Sequence, residues 1–375
     1  MAAFAVNFAD LISGLEGETG ERGETGERGE AGERDEGNEE EVERPMCPVL
    51  EANVSAAELI SRMRVTAEEA DVIERYDQGT TEWLLSRRGT QTRLKDGRFY
   101  SDTVPKPLCF LPGRLTASNF GTAVGHNKYS GADKLIEDML WGVVVSNDAM
   151  RYGSEMEPVA CDVFETALFF LTGGAMHVEH RGLMLACPAI YDEESNTYEG
   201  WCGTSPDGII HWKEGAAQAG TTTTSSSIPP SPPRPWAHPP GHRSLLEIKC
   251  PSVNKRNFYS ERYGNERFGI PHYYYDQIMG ICGLQHLGEA FFVVHLPDRT
   301  QVLKFAFDAA YFAELFAGMR RFWFEEYLPA ALACAHGRLV RGEIAVREEH
   351  GEFERPDMEL EEEAVAQALE EASHL

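Results

Sequence analysis

Hydrophobic positions recur along this chain at two different periods, and the switches between them mark out its elements. From Glu155 to Phe170, Met156, Val159, Ala160, Val163, Phe164 and Ala167 fall at helical spacing, with Glu157 at the edge of the stripe. That spacing predicts a helix whose acidic edge can reach a half-buried site. The helical period returns from Phe307 to Leu332, where Phe312, Leu315, Phe316, Met319 and Phe322 share one apolar face suited to core packing. The segments His177 to Ala186, Gly203 to Trp212 and Leu245 to Cys250 are short, are bounded by turn or proline residues, and read as strands. Near the start, Phe4, Phe8, Leu11, Ile12 and Leu15 describe one face of a short helix that would dock on a partner or on the protein's own body.

This mixture of helical and extended patterns runs from about Ala56 to Gly342 and defines one α/β domain, residues 56–342. Residues 1–55 form an acidic low-complexity arm. Within it Gly17, Gly20, Gly23, Gly26, Gly29 and Gly32 open successive Gly-Glu-x triplets. The spacing is that of collagen, but a triple helix needs abundant proline and the run has none, so it reads as a solvated acidic repeat. Residues 214–243 carry a Thr, Ser and Pro run too polar for a central strand or helix, and are expected to form an extruded hairpin loop. Residues 343–375 read as an acidic C-terminal tail with little to bury.

Composition changes this picture mainly through charge. The 375 residues are 42% hydrophobic, enough for a real core, and carry 61 acids against 34 Lys plus Arg, a net charge of -27. A broadly basic coat for gripping nucleic acid is therefore excluded. Residues 1–50 hold 14 acids and 4 arginines, and residues 343–375 hold 12 acids and 2 arginines, so each end carries -10 and the middle only -7. No apolar run approaches the ~18 residues of a membrane span. Met1 to Leu15 lacks the basic residues of a secretory or mitochondrial leader. The expectation is a soluble intracellular protein without a membrane partner, with nucleus and cytoplasm both open. Eight cysteines without a CxxC pair fit buried small hydrophobes better than a disulfide framework, a zinc ribbon or an iron–sulfur cluster. Two histidine pairs invite a zinc reading and fail it. His177 and His180 lie in a strand, where i and i+3 face opposite sides, while His238 and His242 lie in the Pro-rich loop away from any cysteine.

The informative chemistry is Ser205-Pro206-Asp207-Gly208, followed some forty residues later by Leu246-Glu247-Ile248-Lys249-Cys250-Pro251. Alternation along a strand puts Glu247 and Lys249 on one face with Ile248 turned into the core. If the Asp207 strand pairs beside it, two carboxylates and an ammonium converge, and Glu157 can add a third carboxylate from its helix edge. Carboxylates are the ligands that Mg²⁺ or Mn²⁺ prefers, and such a site suits phosphoryl transfer with the lysine serving the attacking water.

The set Asp, then Glu-x-Lys, resembles the PD-(D/E)XK nuclease superfamily, and the finer match is to its phage lambda exonuclease and YqaJ recombinase branch. Glu82, Trp83 and Arg87-Arg88-Gly89 resemble the branch's W-x-x-x-R-x-G element, and Arg114-Leu115-Thr116-Ala117-Ser118 its I-T-A-S. Met150-Arg151-Tyr152-Gly153 running to Glu157-Pro158 resembles M-x-x-G-x-x-x-E-P. Ser205 to Gly208 and Leu246 to Pro251 match S-P-D-G and L-E-I-K-C-P, and Tyr273 to Gln277 resembles the late Y-x-x-Q helix. Two departures stand out: Thr90 to Gly113 separates two elements that usually adjoin, and the Pro-rich insertion separates Asp207 from Glu247.

The resemblance implies a restriction-endonuclease-like core, a mixed central β-sheet flanked by helices. It implies a Mg²⁺-dependent deoxyribonuclease, with Mn²⁺ also suitable, most simply a 5′ to 3′ exonuclease on linear duplex ends acting in recombination or repair. Asp207 and Glu247, with the carbonyl of Ile248, would hold the catalytic metal; Glu157 would complete or bridge a second position; Lys249 would serve the water. Arg87, Ser118, Ser205 and Gln277 match positions around the 5′-phosphate, and the long separation leaves Arg87 and Arg114 both open as the phosphate arginine. DNA is the implied partner, with a single-strand annealing protein or recombinase as companion; monomer and toroidal trimer both stay open. Arg87, Arg88, Arg93, Lys95, Arg98, Lys106 and Arg114, with Lys255, Arg256, Arg262 and Arg267, would give a local DNA track. The competing readings are an endonuclease or flap nuclease on the same fold, and a non-catalytic adaptor; the retained acids and lysine speak against the adaptor.

Overall fold

The computed structural model describes residues 6–7, 41–42, 51–87, 94–95, 98–99, 112–141, 144–145, 148–172, 174–213, 241–251, 269–296 and 299–339. Six strands make the central sheet: β1 (Val6–Asn7), β2 (Met176–Glu179), β3 (Gly208–Trp212), β4 (Arg243–Lys249), β5 (Glu289–Leu296) and β6 (Arg299–Ala306). Their order is β1-β6-β5-β4-β3-β2, and every junction is antiparallel except that of β4 with β5. The sheet is therefore mixed. β5 is apolar on both faces because helices cover both: Phe291 and Val293 point to one layer, Ala290, Phe292, Val294 and Leu296 to the other.

The helices that matter for the site are α1 (Thr81–Arg87), α2 (Asp148–Thr172), α3 (His272–Gln285), α4 (Ala309–Arg321) and α5 (Leu328–Ala335). Helix α2 lays Ala160, Phe164, Ala167 and Leu168 on one sheet face, against Ile210, Trp212, Leu246, Ile248, Phe291 and Val293. Helices α3, α4 and α5 fill the opposite layer in a larger core. Helix α3 is buried over nearly its whole surface from Tyr275 onward, as befits a helix with neighbours on every side. Between α4 and α5 the chain makes a π turn over Phe322–Tyr327. That turn aims Trp323 and Tyr327 inward, where the indole N–H donates to the Gly113 carbonyl (3.1 Å) and the Gly113 N–H donates to the Tyr327 hydroxyl (2.5 Å). Gly113 leads directly into Arg114, so the far end of the chain anchors the entry to the site.

Several sequence expectations shift. Val6–Asn7 is extended, paired with Val302 and Gln301 at the sheet edge, where the apolar spacing suggests a helix. An edge strand offers open backbone groups, and pairing with them outweighs a weak local helical pattern. The helix expected over Glu155 to Phe170 is longer, and it is turned so that Val159 is exposed while Cys161 and Leu168 are buried. β2 stops at Glu179 instead of running to Ala186. The chain leaves the sheet because Gly182 packs against backbone: its N–H donates to the Glu74 carbonyl (2.8 Å), and a Cβ there would lie 2.3 Å from the Tyr76 carbonyl oxygen. Cys202 and Gly203 pair in parallel with Leu115 and Thr116, outside the main sheet, so β3 begins only after Asp207.

Residues 214–240 lie outside the described residues, but the ladder of β3 and β4 runs on to Trp212 and His242, whose backbones bond at 3.1 Å. The insertion thus leaves and re-enters one antiparallel hairpin. The Gly-Glu-x repeat, the C-terminal tail, and Arg88, Arg93, Lys106, Lys255, Arg256, Arg262 and Arg267 of the expected basic track lie outside the described residues. Among the described residues no helix is long and apolar enough to cross a membrane.

Candidate active site

The acids and the lysine meet where β3 and β4 end their pairing. Gly208 lies opposite Leu246, so Asp207, one residue earlier, stands beside Glu247. One oxygen of Asp207 accepts from the Ile248 N–H at 2.5 Å, taking the place of the next ladder carbonyl. Alternation along β4 does the rest. Leu246 and Ile248 point into the layer of α2, while Leu245 and Glu247 point toward α3. Glu247 is 1% exposed, and its Oε1 accepts from Lys249 Nζ and from Gln277 Nε2, each at 2.5 Å. Lys249 Nζ also lies 5.4 Å from the centre of the Tyr274 ring, a cation–π distance. Glu157 comes from α2, the opposite helix layer, and reaches the same cluster.

Crowding three carboxylates out of water raises all three. Burial, then the charge of Asp207, lifts Glu157 to about 7 and Glu247 to about 8, and burial lifts Asp207 as well. Burial works against the Lys249 ammonium, but Glu247 and Asp207 outweigh it and hold its pKa above the ordinary value. One lysine cannot compensate three acids. The imbalance is visible in one atom: Glu247 Oε2 is buried and has no hydrogen-bond partner among the described residues. A buried carboxylate oxygen left unpaired is costly unless something else fills that direction. An oxygen-only donor set with surplus negative charge fits a hard divalent cation held by Glu247, Asp207 and Glu157.

The residues expected around a 5′-phosphate divide into two groups. On α1 the i, i+4 spacing of Trp83 and Arg87 stacks the guanidinium over the indole, 4.4 Å from its centre. Arg87 donates to the hydroxyls of Thr116 (3.1 Å) and Ser118 (3.2 Å), and the Trp83 indole N–H donates to Ser205 Oγ (3.2 Å). Arg87, Ser118 and Ser205 are thus tied together through Trp83, next to the Asp207 loop. Thr116, at the start of the turn over Ala117–Asn119, makes no side-chain cap; its hydroxyl accepts from Arg87 instead. Arg114 lies elsewhere in the same region, with its guanidinium donating to the carbonyls of Met63 (3.2 Å), Ser86 (3.1 Å) and Gly200. Burial lowers its pKa to about 10. Its fit explains Gly200, whose φ of +69° and crowding against Arg114 and Met63 leave no room for a side chain. Gln277 is buried on Glu247 rather than grouped with Arg87 and the serines.

Three residues support the site in roles that the sequence did not assign them. His180 donates from Nδ1 to the Asp207 carbonyl (2.9 Å), since a carbonyl can only accept. Gln78 Nε2 donates to the carbonyls of Pro206 (2.8 Å) and Arg181 (2.9 Å), holding the loop that carries Asp207. Tyr274 shields Lys249. Of the neighbouring tyrosines, Tyr275 is buried against Phe305 and Tyr311, and Tyr273 is half-buried beside Tyr129. The T-A-S element rests on this helix: a Cβ on Gly121 would lie 2.5 Å from Tyr273 Cβ, and one on Gly280 would lie 2.4 Å from the Phe120 ring. His177 stacks on His211 with ring centres 4.9 Å apart, on a different partner from His180.

Among solved structures, the chain is similar to the alkaline exonuclease LHK-Exo of Laribacter hongkongensis, at 19% identity and a TM-score of 0.42, over 68% of this chain and 94% of that one. The complex of LHK-Exo with dAMP aligns at 21% identity and a TM-score of 0.39, over 58% of this chain and 89% of that one. No curated protein sequence matches. The model of the YqaJ-like viral recombinase domain matches residues 82–282, a span that opens at the Trp83 helix and closes within the Gln277 helix, and the chain belongs to that family.

Proposed function

We propose that this protein is a Mg²⁺-dependent deoxyribonuclease, with Mn²⁺ as a substitute, that degrades linear duplex DNA from its 5′ ends in recombination. The observation that carries the reading is the convergence of Glu157, Asp207, Glu247 and Lys249 around a buried Glu247 oxygen that has no hydrogen-bond partner among the described residues. A divalent cation there would supply charge neutralisation at the scissile phosphate and a more acidic water. The chain's own residues do the positioning. Gln277 and Lys249 hold Glu247 Oε1 from one side and leave Oε2 facing the cation position. The Ile248 N–H fixes Asp207, and the carbonyl of Ile248 would be a further donor to the cation. Lys249, kept protonated by its carboxylate neighbours, orients the attacking water and steadies charge on the phosphate oxygens.

Arg87 is the phosphate arginine in this reading, with Ser118 and Ser205 as hydroxyl donors to a 5′-phosphate. It is held at two hydroxyls and a ring face, contacts a phosphate can replace or share, whereas Arg114 is committed to three backbone carbonyls. Digestion of end-labelled linear duplexes with 5′-phosphate or 5′-hydroxyl ends, alongside a closed circle, tests the proposal. Mg²⁺-dependent loss from the 5′ ends, faster with phosphate and abolished in Lys249→Ala, is expected. Cutting of the circle would replace the exonuclease with an endonuclease on the same acids, and no cleavage by the wild type in Mg²⁺ would overturn the nuclease reading.

A further inference from the structure

One turn beyond Glu157 on α2, a second group of potential ligands converges that the nuclease chemistry does not use. Cys161 and Glu165 lie at i and i+4 on the helix, and His180 approaches from just past the end of β2. Cys161 Sγ lies 3.3 Å from Glu165 Oε1 and 3.9 Å from His180 Nε2, and those last two atoms are 3.7 Å apart. A circle through the three atoms has a radius of about 2.1 Å, close to the ~2.0–2.3 Å of bonds from zinc to oxygen, nitrogen and sulfur. The separations themselves approach the ~3.4–3.6 Å edges of a tetrahedral zinc site built from those bond lengths. An ion can therefore sit at bonding distance from all three with shifts of a few tenths of an ångström.

The imidazole is already oriented for this. Its Nδ1–H is spent on the Asp207 carbonyl, so the lone pair belongs to Nε2, the atom that faces the cysteine and the glutamate. A ligating histidine whose other nitrogen is held by a backbone carbonyl is the usual supporting arrangement of a metal site. Thiolate and imidazole together select a zinc-type ion over Mg²⁺, so the site differs in chemistry from the oxygen-only cluster beside it.

We propose that Cys161, Glu165 and His180 bind a zinc-type divalent cation, with solvent completing the coordination, as a site separate from the acids of the nuclease centre. Binding releases the Cys161 thiol proton to solvent and forms bonds from the ion to sulfur, oxygen and nitrogen, with no change in oxidation state. The ion then staples the helix carrying Glu157 to the strand end whose histidine holds the Asp207 backbone. Its role is positional.

The test uses the full-length protein, stripped with chelator and titrated with Co²⁺, whose bond to a thiolate gives a charge-transfer absorption that oxygen ligands do not. The wild type is expected to show that band, to lose it when Zn²⁺ is added in competition, and to keep it in Glu247→Gln and Cys250→Ser. Cys161→Ser and His180→Ala should each abolish the band and weaken Zn²⁺ binding at least about tenfold. His180 is largely exposed, so its variant decides the matter even if Cys161→Ser fails to fold. Absence of the band from the wild type, or its survival in either variant, would overturn the proposal.

Discussion

Metal-free protein should become less stable as pH rises, against the common trend for carboxylates. Glu247 is raised from 4.5 to about 8 and Glu157 to about 7, in each case by burial first and by Asp207 second. An acid whose folded pKa exceeds its unfolded value binds more protons in the folded state. Its contribution is complete below about 4.5 and is lost as pH climbs through the folded pKa. Each such group can contribute a slope of up to ~1.4 kcal/mol per pH unit. Between about pH 5 and 8 the two glutamates release their protons in coupled steps, so the slope lies between that of one such group and that of two, up to about 3 kcal/mol per unit. Urea unfolding followed by circular dichroism from pH 5 to 8.5, in chelator, measures the slope directly. Glu247→Gln keeps the size and removes the titration, so its slope should be shallower by up to ~1.4 kcal/mol per unit. Adding Mg²⁺ should stabilise the wild type more at pH 8 than at pH 6, because protons compete with the cation for the same oxygens. Superimposable slopes for wild type and Glu247→Gln would refute the account of a buried acid waiting for a cation.

Other outcomes follow from the same contacts. Arg87→Ala should erase the rate advantage of 5′-phosphate over 5′-hydroxyl ends in the digestion assay at a cost of about 1–2 kcal/mol of stability from the lost contacts to Thr116, Ser118 and Trp83. Arg114→Leu should keep that advantage and lower stability in urea unfolding further, by more than about 2 kcal/mol because the carbonyls of Met63, Ser86 and Gly200 lose their donor. Gly121→Ala should cost about 1–3 kcal/mol or more in the same measurement, since its Cβ would press on the backbone of Tyr273 at 2.6 Å and on Asp276 Oδ2 at 2.8 Å. Replacing the 12 acids of residues 8–40 by Gln or Asn, which leaves strand β1 in place, should tighten duplex binding at low salt, with the gain shrinking as salt is raised. Equal affinities at low salt, measured by fluorescence anisotropy, would remove that role for the arm.

What the sequence revealed of the site was what depends on local geometry. Strand alternation alone places Glu247 beside Lys249, so these two were legible from spacing, whereas Asp207 joins them only through the pairing of Gly208 with Leu246. The W-x-x-x-R spacing likewise fixes Arg87 over Trp83. What depends on packing between layers was not legible. Gln277 has the right residue type for a phosphate contact, yet α3 delivers it to Glu247, and only the docking of that helix decides between the two. The choice between Arg87 and Arg114 turns on burial against Met63 and Gly200, residues far away in the chain. His180 looked like half of a failed histidine pair, because the strand that separates it from His177 also carries it toward Cys161 and Asp207.

This division has a mechanical consequence. Glu157 enters from the α2 layer and Gln277 from the α3 layer, while Asp207, Glu247 and Lys249 ride on strand ends between them. No single element holds enough of the cluster to keep its charges together, so the acids are brought within reach of one another only when both helix layers are seated on the sheet. A substitution that loosens either layer far from the acids, such as Phe164→Ala under α2 or Phe120→Ala under α3, removes a fully buried ring at a cost of about 3–5 kcal/mol. It should therefore lower divalent-cation affinity as well as stability, although neither ring belongs to the acid cluster, whereas a surface change such as Glu314→Gln should leave both nearly unchanged.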